Sequence, residues 1–567
     1  MKKKSKKKKK LALSDDEEGG GEMEETTKED NNNNKEEEEL PSYSRAEVSK
    51  RNSPHGGSNW IVIDDFVYDV TKFAKFHPGG KQFIDRVAGS DSTNAFYKYH
   101  RRDVLETVAK KFRIGCIREE ERRKGKERTL EKKKGDLELV PYAEPAAFAP
   151  SVSGKPTSLY YNETHVKFRK ACRLFFDTHV APTCVKADEN GEHPTKEVYE
   201  LLGKNGLLVA RMPKGPWMRD VVENCGVELL GGVHVNEFDS FHELIAHEET
   251  CRLGVPGYVD GLGAGLVIGL PPVLQFGRPD VARTVGREVL LGKKRICLAI
   301  SEPAAGSDVA GLQTIATKDP STGDYIVNGV KKWITNGQFS DYFTTAVKMQ
   351  DGTFSLLLID RAWGGVDTKP IKTSYSPSAG TAYVTYENVR VPKEYLLGKE
   401  GKGFMYVMFN FNHERWYIVA GTNAANRLVL AECFKWANQR IVFGKKLIEQ
   451  PVIRGKLAIM AAQIEAVQAW TEQITHQMNV LSHEEQSVVL AGPIALLKFF
   501  CTRVANLVSD EACQIFGGRA ITRTGMGRII EAFQKSNKFA AILGGSEEIM
   551  ADLGIRQAMK HMPNARL

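Results

Sequence analysis

ICLAISEPAAGSDVAGLQTIATKDPSTGDYIVNGVKKWITNG, residues 296–337, is the stretch from which the rest of the chain is read. Two β-rich runs, 296–300 and 325–327, are joined by Gly, Ser, Asp and Pro punctuation. Between them EPAAGSD, residues 302–308, forms a loop of small residues. Such a loop lets a bulky planar or anionic ligand approach the backbone closely. Trp333-Ile334-Thr335-Asn336-Gly337 then sets an aromatic ring beside a hydroxyl and a turn. Each piece alone reads as an ordinary β-meander; the combination is specific.

Downstream, Arg390-Val391-Pro392 and Leu397-Gly398 mark a boundary. From residue 403 onward the only prolines are Pro451, Pro493 and Pro563, so long helices are predicted, in the manner of a four-helix bundle. Three motifs punctuate them: Gln439-Arg440-Ile441-Val442-Phe443-Gly444-Lys445, Gln514-Ile515-Phe516-Gly517-Gly518, and Leu543-Gly544-Gly545-Ser546-Glu547-Glu548-Ile549.

SEPAAGSD, NGVKKWITNG and these three motifs, in this order, resemble the flavin-dependent acyl-CoA dehydrogenases. The resemblance implies an N-terminal helical domain at 157–295, a middle β-barrel-like domain at 296–396 and a C-terminal helical bundle at 397–567. It assigns FAD contacts to Ile300, Ser301, Trp333 and Thr335, with Trp333 against the flavin ring. Arg440 and Phe443, with Gln514, Gly517 and Gly518, would reach the FAD of a neighbouring subunit. A guanidinium fork at Arg440 suits a pyrophosphate. Val442 is apolar where relatives usually carry a hydroxyl. Ser546 and Glu548 match further FAD contacts, Ser307 lies near the CoA, and Phe411 and Arg415 fall at the substrate.

Desaturating a thioester requires a base for the Cα proton while hydride leaves Cβ. A desolvated carboxylate opposite the flavin suits that task. In many relatives the base precedes a Gly-Thr-Ser, a position held here by Gly544, which has no side chain. One branch carries its base on an earlier helix, and Glu414 in Asn412-His413-Glu414-Arg415 matches that place. Gly544 keeps a backbone N–H, which by resemblance polarises the thioester carbonyl.

Upstream, 159–292 reads as helical, with apolar spacing at 166–176, 196–205 and 242–251. His165, His193, His234, His242 and His247 have no recognisable metal-site spacing and are read as ordinary histidines. The Gly-rich passage 257–269 lacks the phosphate-loop pattern and reads as close helix packing.

The N-terminal region is different in kind. Residues 1–57, with a Lys run, acidic blocks and an Asn tract, read as a disordered charged tail. At 58–118, strands 60–63 and 66–70 precede His77-Pro78-Gly79-Gly80, and His100 follows Ala95-Phe96-Tyr97-Lys98-Tyr99. This unit resembles cytochrome b5, which makes His77 and His100 the axial ligands of a b-type haem, one residue closer in sequence than the commonest spacing. Residues 119–156 read as a linker, charged and then Pro/Ala/Ser-rich.

Nine scattered cysteines without a CxxC pair suggest neither a zinc site nor a disulfide framework. No apolar run reaches membrane-spanning length, and much of the charge behind the net +8 sits in the tail, where acidic blocks offset the Lys run, so no nucleic-acid partner is expected. Ala565-Arg566-Leu567 varies a peroxisomal address, so a peroxisomal location is expected, with mitochondrial or cytoplasmic as the other choices. The whole is expected to be a multidomain, mainly α enzyme, a homodimer or homotetramer. It would desaturate an acyl-CoA to the trans-2-enoyl-CoA with FAD and pass electrons through haem b to an unidentified acceptor. An acyl-CoA oxidase, and a non-catalytic haem-tethered acyl-CoA-binding or assembly protein, are the alternative readings; peroxide formation and absence of flavin bleaching would distinguish them.

Overall fold

The computed structural model describes residues 40–52, 57–100, 103–106, 108–122, 134–149, 158–560 and 562. The Lys run and the acidic blocks of the tail, most of the charged segment after residue 122 and the C-terminal tripeptide lie outside the described residues. The chain divides into two compact units, Met1–Lys126 and Glu127–Leu567.

The first unit holds a four-stranded sheet in the order β1-β4-β3-β2. The strands are β1 (Ser42–Tyr43), β2 (Trp60–Ile63), β3 (Phe66–Asp69) and β4 (Arg113–Ile117). β2 and β3 form the hairpin expected from their alternation, turned by Asp64 and Asp65 at φ 51° and 63°. The expected domain start at residue 58 needs correction. β1 pairs in parallel with β4, and the helix Arg45–Ser49 is closed by a capping box between Ser44 and Glu47. Arg45 bonds Asp65 and Asp91, each at 2.9 Å, while Val48 is buried. These few residues were hidden by the charged composition around them.

The expected linker at 119–156 is also shorter than read. Glu121 accepts a hydrogen bond from the Arg45 backbone N–H, which ties it to the first unit. At the other end Glu144 is buried among Arg169 (3.1 Å) and Arg173, and Phe148 lies under the Arg169 guanidinium at 4.5 Å. Buried, multiply bonded carboxylate and guanidinium groups of this kind belong to a core, not to a tether.

In the second unit the expected helices appear as Glu163–Phe175, Lys196–Lys204 and Ser240–Cys251, with others between and after them. The Gly-rich passage becomes Pro256–Gly261 and Ala264–Phe276. Its glycines bring a helix directly onto the sheet: a Cβ at Gly265 would lie 2.5 Å from the Ile296 carbonyl oxygen, and one at Gly269 2.7 Å from the Cys297 carbonyl carbon.

The middle sheet comprises β5 (Ile296–Ala299), β6 (Ile315–Lys318), β7 (Tyr325–Ile334), β8 (Tyr342–Met349), β9 (Phe354–Asp360), β10 (Val366–Pro370), β11 (Ala382–Val391) and β12 (Leu396–Leu397). Its order is β10-β11-β7-β6-β8-β9-β12, with β5 paired to β8. β7 runs through Asn328-Gly329 to Ile334, well past the expected 325–327, because its antiparallel partner β11 is equally long.

Long helices follow: Gly403–Gln439, Pro451–Val480, Ala491–Phe516, Arg528–Ile542 and Glu547–Lys560. Two stretches, Pro256–Phe276 and Ala491–Ile521, are long and apolar enough to cross a membrane, yet 72% and 61% of their apolar windows are buried inside the protein. Their hydrophobicity is that of core helices.

Candidate active site

Glu414 lies a few turns into the Gly403–Gln439 helix and is 3% exposed. Its Oε2 has no hydrogen-bond partner among the described residues. Burial pushes its carboxyl up to about 7, only partly opposed by Arg415, Lys498 and His413. Opposite it, Gly544 sits in the loop between two helices at φ 66°. A Cβ at Gly544 would lie 3.5 Å from Glu414 Oε1 and 2.7 Å from Ile418 Cδ1. Position 544 and the Glu414 carboxylate therefore meet at one point, and a carboxylate from either side would serve it.

The loop is held from below. Arg415 Nε donates to the Gly544 carbonyl at 3.0 Å, so this residue, expected at the substrate, braces the loop. Its guanidinium also covers the half-buried Phe411 ring at 5.3 Å. Lys498, fully buried, donates to the carbonyls of Ala541 (3.1 Å) and Gly545 (2.5 Å). Burial draws its ammonium down to about 8, against the attraction of Glu547. Sequence reading missed Lys498; the signal was a lone lysine inside the apolar run Ile494-Ala495-Leu496-Leu497-Lys498-Phe499-Phe500. Ser546 stands before the helix Glu547–Lys560, and Glu548 is exposed.

A cavity of about 130 Å³ adjoins this point, with Ile418, one turn past Glu414, and Leu543, beside Gly544, both in its wall. Val255, Val259 and Phe533 make it largely apolar.

The small-residue loop is fixed to β7 by a buried ion pair. Lys331 Nζ bonds Glu302 at 2.8 Å and the Ile300 carbonyl at 3.1 Å, and Glu302 also accepts the backbone N–H groups of Gln313 (2.6 Å) and Thr314 (2.9 Å). Burial opposes ionisation of Glu302, but Lys331 and these bonds hold its carboxyl below its ordinary value. The Lys332 N–H donates to the Ser301 carbonyl at 2.8 Å, which brings Ile300, Ser301 and Trp333 together. Thr335 is buried, Ser307 exposed, and Trp333, at φ 69°, is 53% exposed. An indole left open at the end of a strand and beside a small-residue loop fits a planar ligand such as a flavin.

Arg440 ends the Gly403–Gln439 helix and lies over Trp436 at 5.5 Å. Trp436 stacks on Phe516 at 5.7 Å and donates to the Ile515 carbonyl at 3.2 Å, which joins the two motifs expected to reach a second subunit. Gln514, Gly517 and Gly518 are exposed, and Phe443 is 95% exposed at φ 49°. None of them touches the Glu414 cluster.

In the first unit His77 and His100 face each other with ring centroids 5.8 Å apart. Two imidazoles this close are the residue types that hold a haem iron from both faces. His77 Nδ1 lies 3.3 Å from the Gly80 carbonyl; donation there leaves Nε2 free as a ligand. A Cβ at Gly79 would lie 3.0 Å from His77 Cε1, so a side chain there would press on the imidazole. Burial, with His77 beside it, lowers the basicity of His100 and keeps it neutral, as a metal ligand must be. Phe83 and Tyr99 stand half-open nearby. The residues fit a bis-histidine haem.

His165, Asp239 and His242 also converge. Asp239 Oδ1 accepts from His165 Nε2 (3.0 Å), while His165 Nδ1 accepts the Asn162 N–H (3.0 Å) and His242 Nδ1 the Asp239 N–H (3.3 Å). These bonds cap two helix starts and account for both histidines without a metal.

Family models described as the acyl-CoA dehydrogenase N-terminal, middle and C-terminal domains match residues 162–292, 297–389 and 401–559. One described as a cytochrome b5-like heme/steroid binding domain matches 44–118. The acyl-CoA dehydrogenase apdG of Emericella nidulans is 38% identical over 75% of this chain and 96% of its own length. The solved structure of butyryl-CoA dehydrogenase from Megasphaera elsdenii superposes with a TM-score of 0.63 at 25% identity, covering 71% of this chain and all of that one. An acyl-CoA dehydrogenase complexed with FAD from Bacillus anthracis gives a TM-score of 0.62 at 27% identity, over 70% of this chain and 68% of that one.

Proposed function

The chain belongs to the acyl-CoA dehydrogenase family, and from that premise we propose that it oxidises an acyl-CoA to the trans-2-enoyl-CoA with Glu414 as the base. The observation that carries this reading is the meeting of Glu414 and Gly544 at one point, with a carboxylate oxygen left unpartnered there. Glu414 takes the Cα proton. Gly544, its carbonyl held by Arg415 and its loop held by Lys498, offers its N–H to the thioester oxygen as enolate charge develops. Water is excluded by the side chains that bury Glu414 to 3% exposure.

FAD, when bound, supplies the hydride acceptor. Ile300, Ser301, Trp333 and Thr335 hold it from within the chain. Arg440, Phe443, Gln514, Gly517 and Gly518 would hold that of a second copy, with Ser546 and Glu548 as further FAD contacts. An exposed Phe443 supports a homodimer or a pair of dimers, since an aromatic ring 95% open to water is well explained by a partner that covers it.

His77 and His100 would hold a b-type haem, which would supply a one-electron acceptor tethered to the flavin-binding unit. The test of the dehydrogenase reading is an absorbance spectrum of purified protein before and after a panel of acyl-CoAs. Flavin bands that bleach without peroxide release are expected; bands unchanged by every acyl-CoA refute it.

A further inference from the structure

The cavity beside Glu414 has one feature that an apolar acyl chain does not need. Asp260, in the helix Pro256–Gly261, is the one carboxyl among its lining residues. The Tyr375 and Tyr417 hydroxyls both lie close enough to this carboxyl to act on its ionisation, Tyr417 from the Gly403–Gln439 helix. Arg211 is buried nearby but forms no ion pair with Asp260 among the described residues. It donates instead to the Leu262 carbonyl at 2.7 Å, and its Nε has no partner. Burial pushes the Asp260 carboxyl up to about 7, against Tyr375 and Arg211.

A carboxyl on the wall of an apolar cavity opposes binding of plain hydrocarbon, because it loses water and gains nothing in return. Packing does not demand it either, since a leucine of similar size would line the cavity better. The group recognised is therefore polar. A cationic tail is opposed by Arg211. An anionic tail is opposed by Asp260 itself and by Asp188, whose Oδ1 accepts the Tyr258 N–H at 3.0 Å in the same helix. A neutral oxygen remains: a carboxyl poised between its two forms accepts from a hydroxyl or donates to a carbonyl.

We propose that Asp260, with Tyr375, selects acyl chains bearing a hydroxyl or oxo group beyond the β-carbon, and that such oxygenated acyl-CoAs are the substrate class. This rests on the acyl-CoA dehydrogenase reading above.

The test measures anaerobic flavin bleaching by the full-length holoprotein. The probes are straight saturated acyl-CoAs and chain-length-matched counterparts with one hydroxyl or one oxo group at successive positions beyond the β-carbon. The wild type is expected to prefer at least one oxygenated chain by about tenfold or more in kcat/KM, a threshold well below the about 10⁴-fold that a fully committed hydrogen-bonding site reaches. Asp260→Leu should collapse or invert that ratio, and Asp260→Asn, which keeps size and hydrogen bonding, should preserve part of it. A wild type that uses every plain chain as well as its oxygenated counterpart overturns the proposal while leaving the dehydrogenase reading intact; this outcome does not depend on either variant folding. Bleaching by no acyl-CoA at all fells both.

Discussion

Glu414 and Gly544 illustrate how one residue is read through another. Replacing the carboxylate by an amide, Glu414→Gln, is expected to slow flavin reduction by about 10² or more, the scale of losing a general base, with FAD content unchanged. Adding Gly544→Glu in that background should restore part of the rate, because its carboxylate would reach the same point. Recovery stays partial, since φ is 66° there and Ile418 Cδ1 must move. Stopped-flow absorbance checks both, and near-normal reduction by Glu414→Gln would identify another carboxylate as the base. The pH dependence has a definite sign. Glu414 works only when ionised, so reduction at low substrate should fall as pH drops below about 7, where burial has placed its carboxyl. Stability runs the other way: a raised folded value contributes most below the ordinary glutamate range, and that contribution is lost as pH rises through about 7. Glu414→Gln should therefore be no less heat-stable than wild type at pH above 7, which a role in packing alone would not produce.

At the level of elements, the loop 302–308 closes on itself through Glu302 and Ala305 and is tied to β7 through Glu302 and Lys331. Glu302 and Lys331 are both buried, so each depends on the other. Lys331→Met strands a carboxylate and is expected to cost about 3–5 kcal/mol, the range for breaking a buried pair from one side. Flavin should also dissociate more readily, since Ile300 and Ser301 lose their anchor. Denaturant unfolding and flavin content after dialysis measure the two effects. Glu302→Gln combined with Lys331→Met should regain much of the stability, and an unchanged unfolding midpoint in the single variant would remove the brace from the argument.

For the whole molecule, the question is why a cytochrome b5-like unit and an acyl-CoA dehydrogenase unit share a chain. His77→Ala or His100→Ala should abolish the bis-imidazole haem spectrum while acyl-CoA still bleaches flavin; a full haem signal in both variants excludes this ligation. Tethering raises effective concentration, into the millimolar range for a short flexible connection. Only residues 123–133 separate the last described residue of the first unit from the first of the second. If haem relays electrons, anaerobic mixing with a good acyl-CoA should bleach flavin first and then raise the reduced-haem bands, at a rate independent of protein concentration. Haem that stays ferric beside fully reduced flavin rules the relay out.

Local chemistry was legible without coordinates. HPGG with a following histidine, SEPAAGSD, WITNG and FGG are runs whose turn residues and aromatics carry their meaning in sequence, and the vacancy at Gly544 was visible as a missing side chain. Helices at Glu163–Phe175 and Ser240–Cys251 followed from apolar spacing. What escaped were contacts between distant residues. Ser42 and Tyr43 became a strand only because β4 accepts them, and Glu144 joined a core only because Arg169 and Arg173 are there. Lys498, Lys331 and Asp260 looked like ordinary charged residues until folding buried the two lysines beside carbonyls and a carboxylate and set the half-buried aspartate on the wall of a cavity. Periodicity and turn chemistry act over a few residues and are written in the sequence. The burial of a charge depends on which distant segments surround it, and that was decided by the tertiary structure alone.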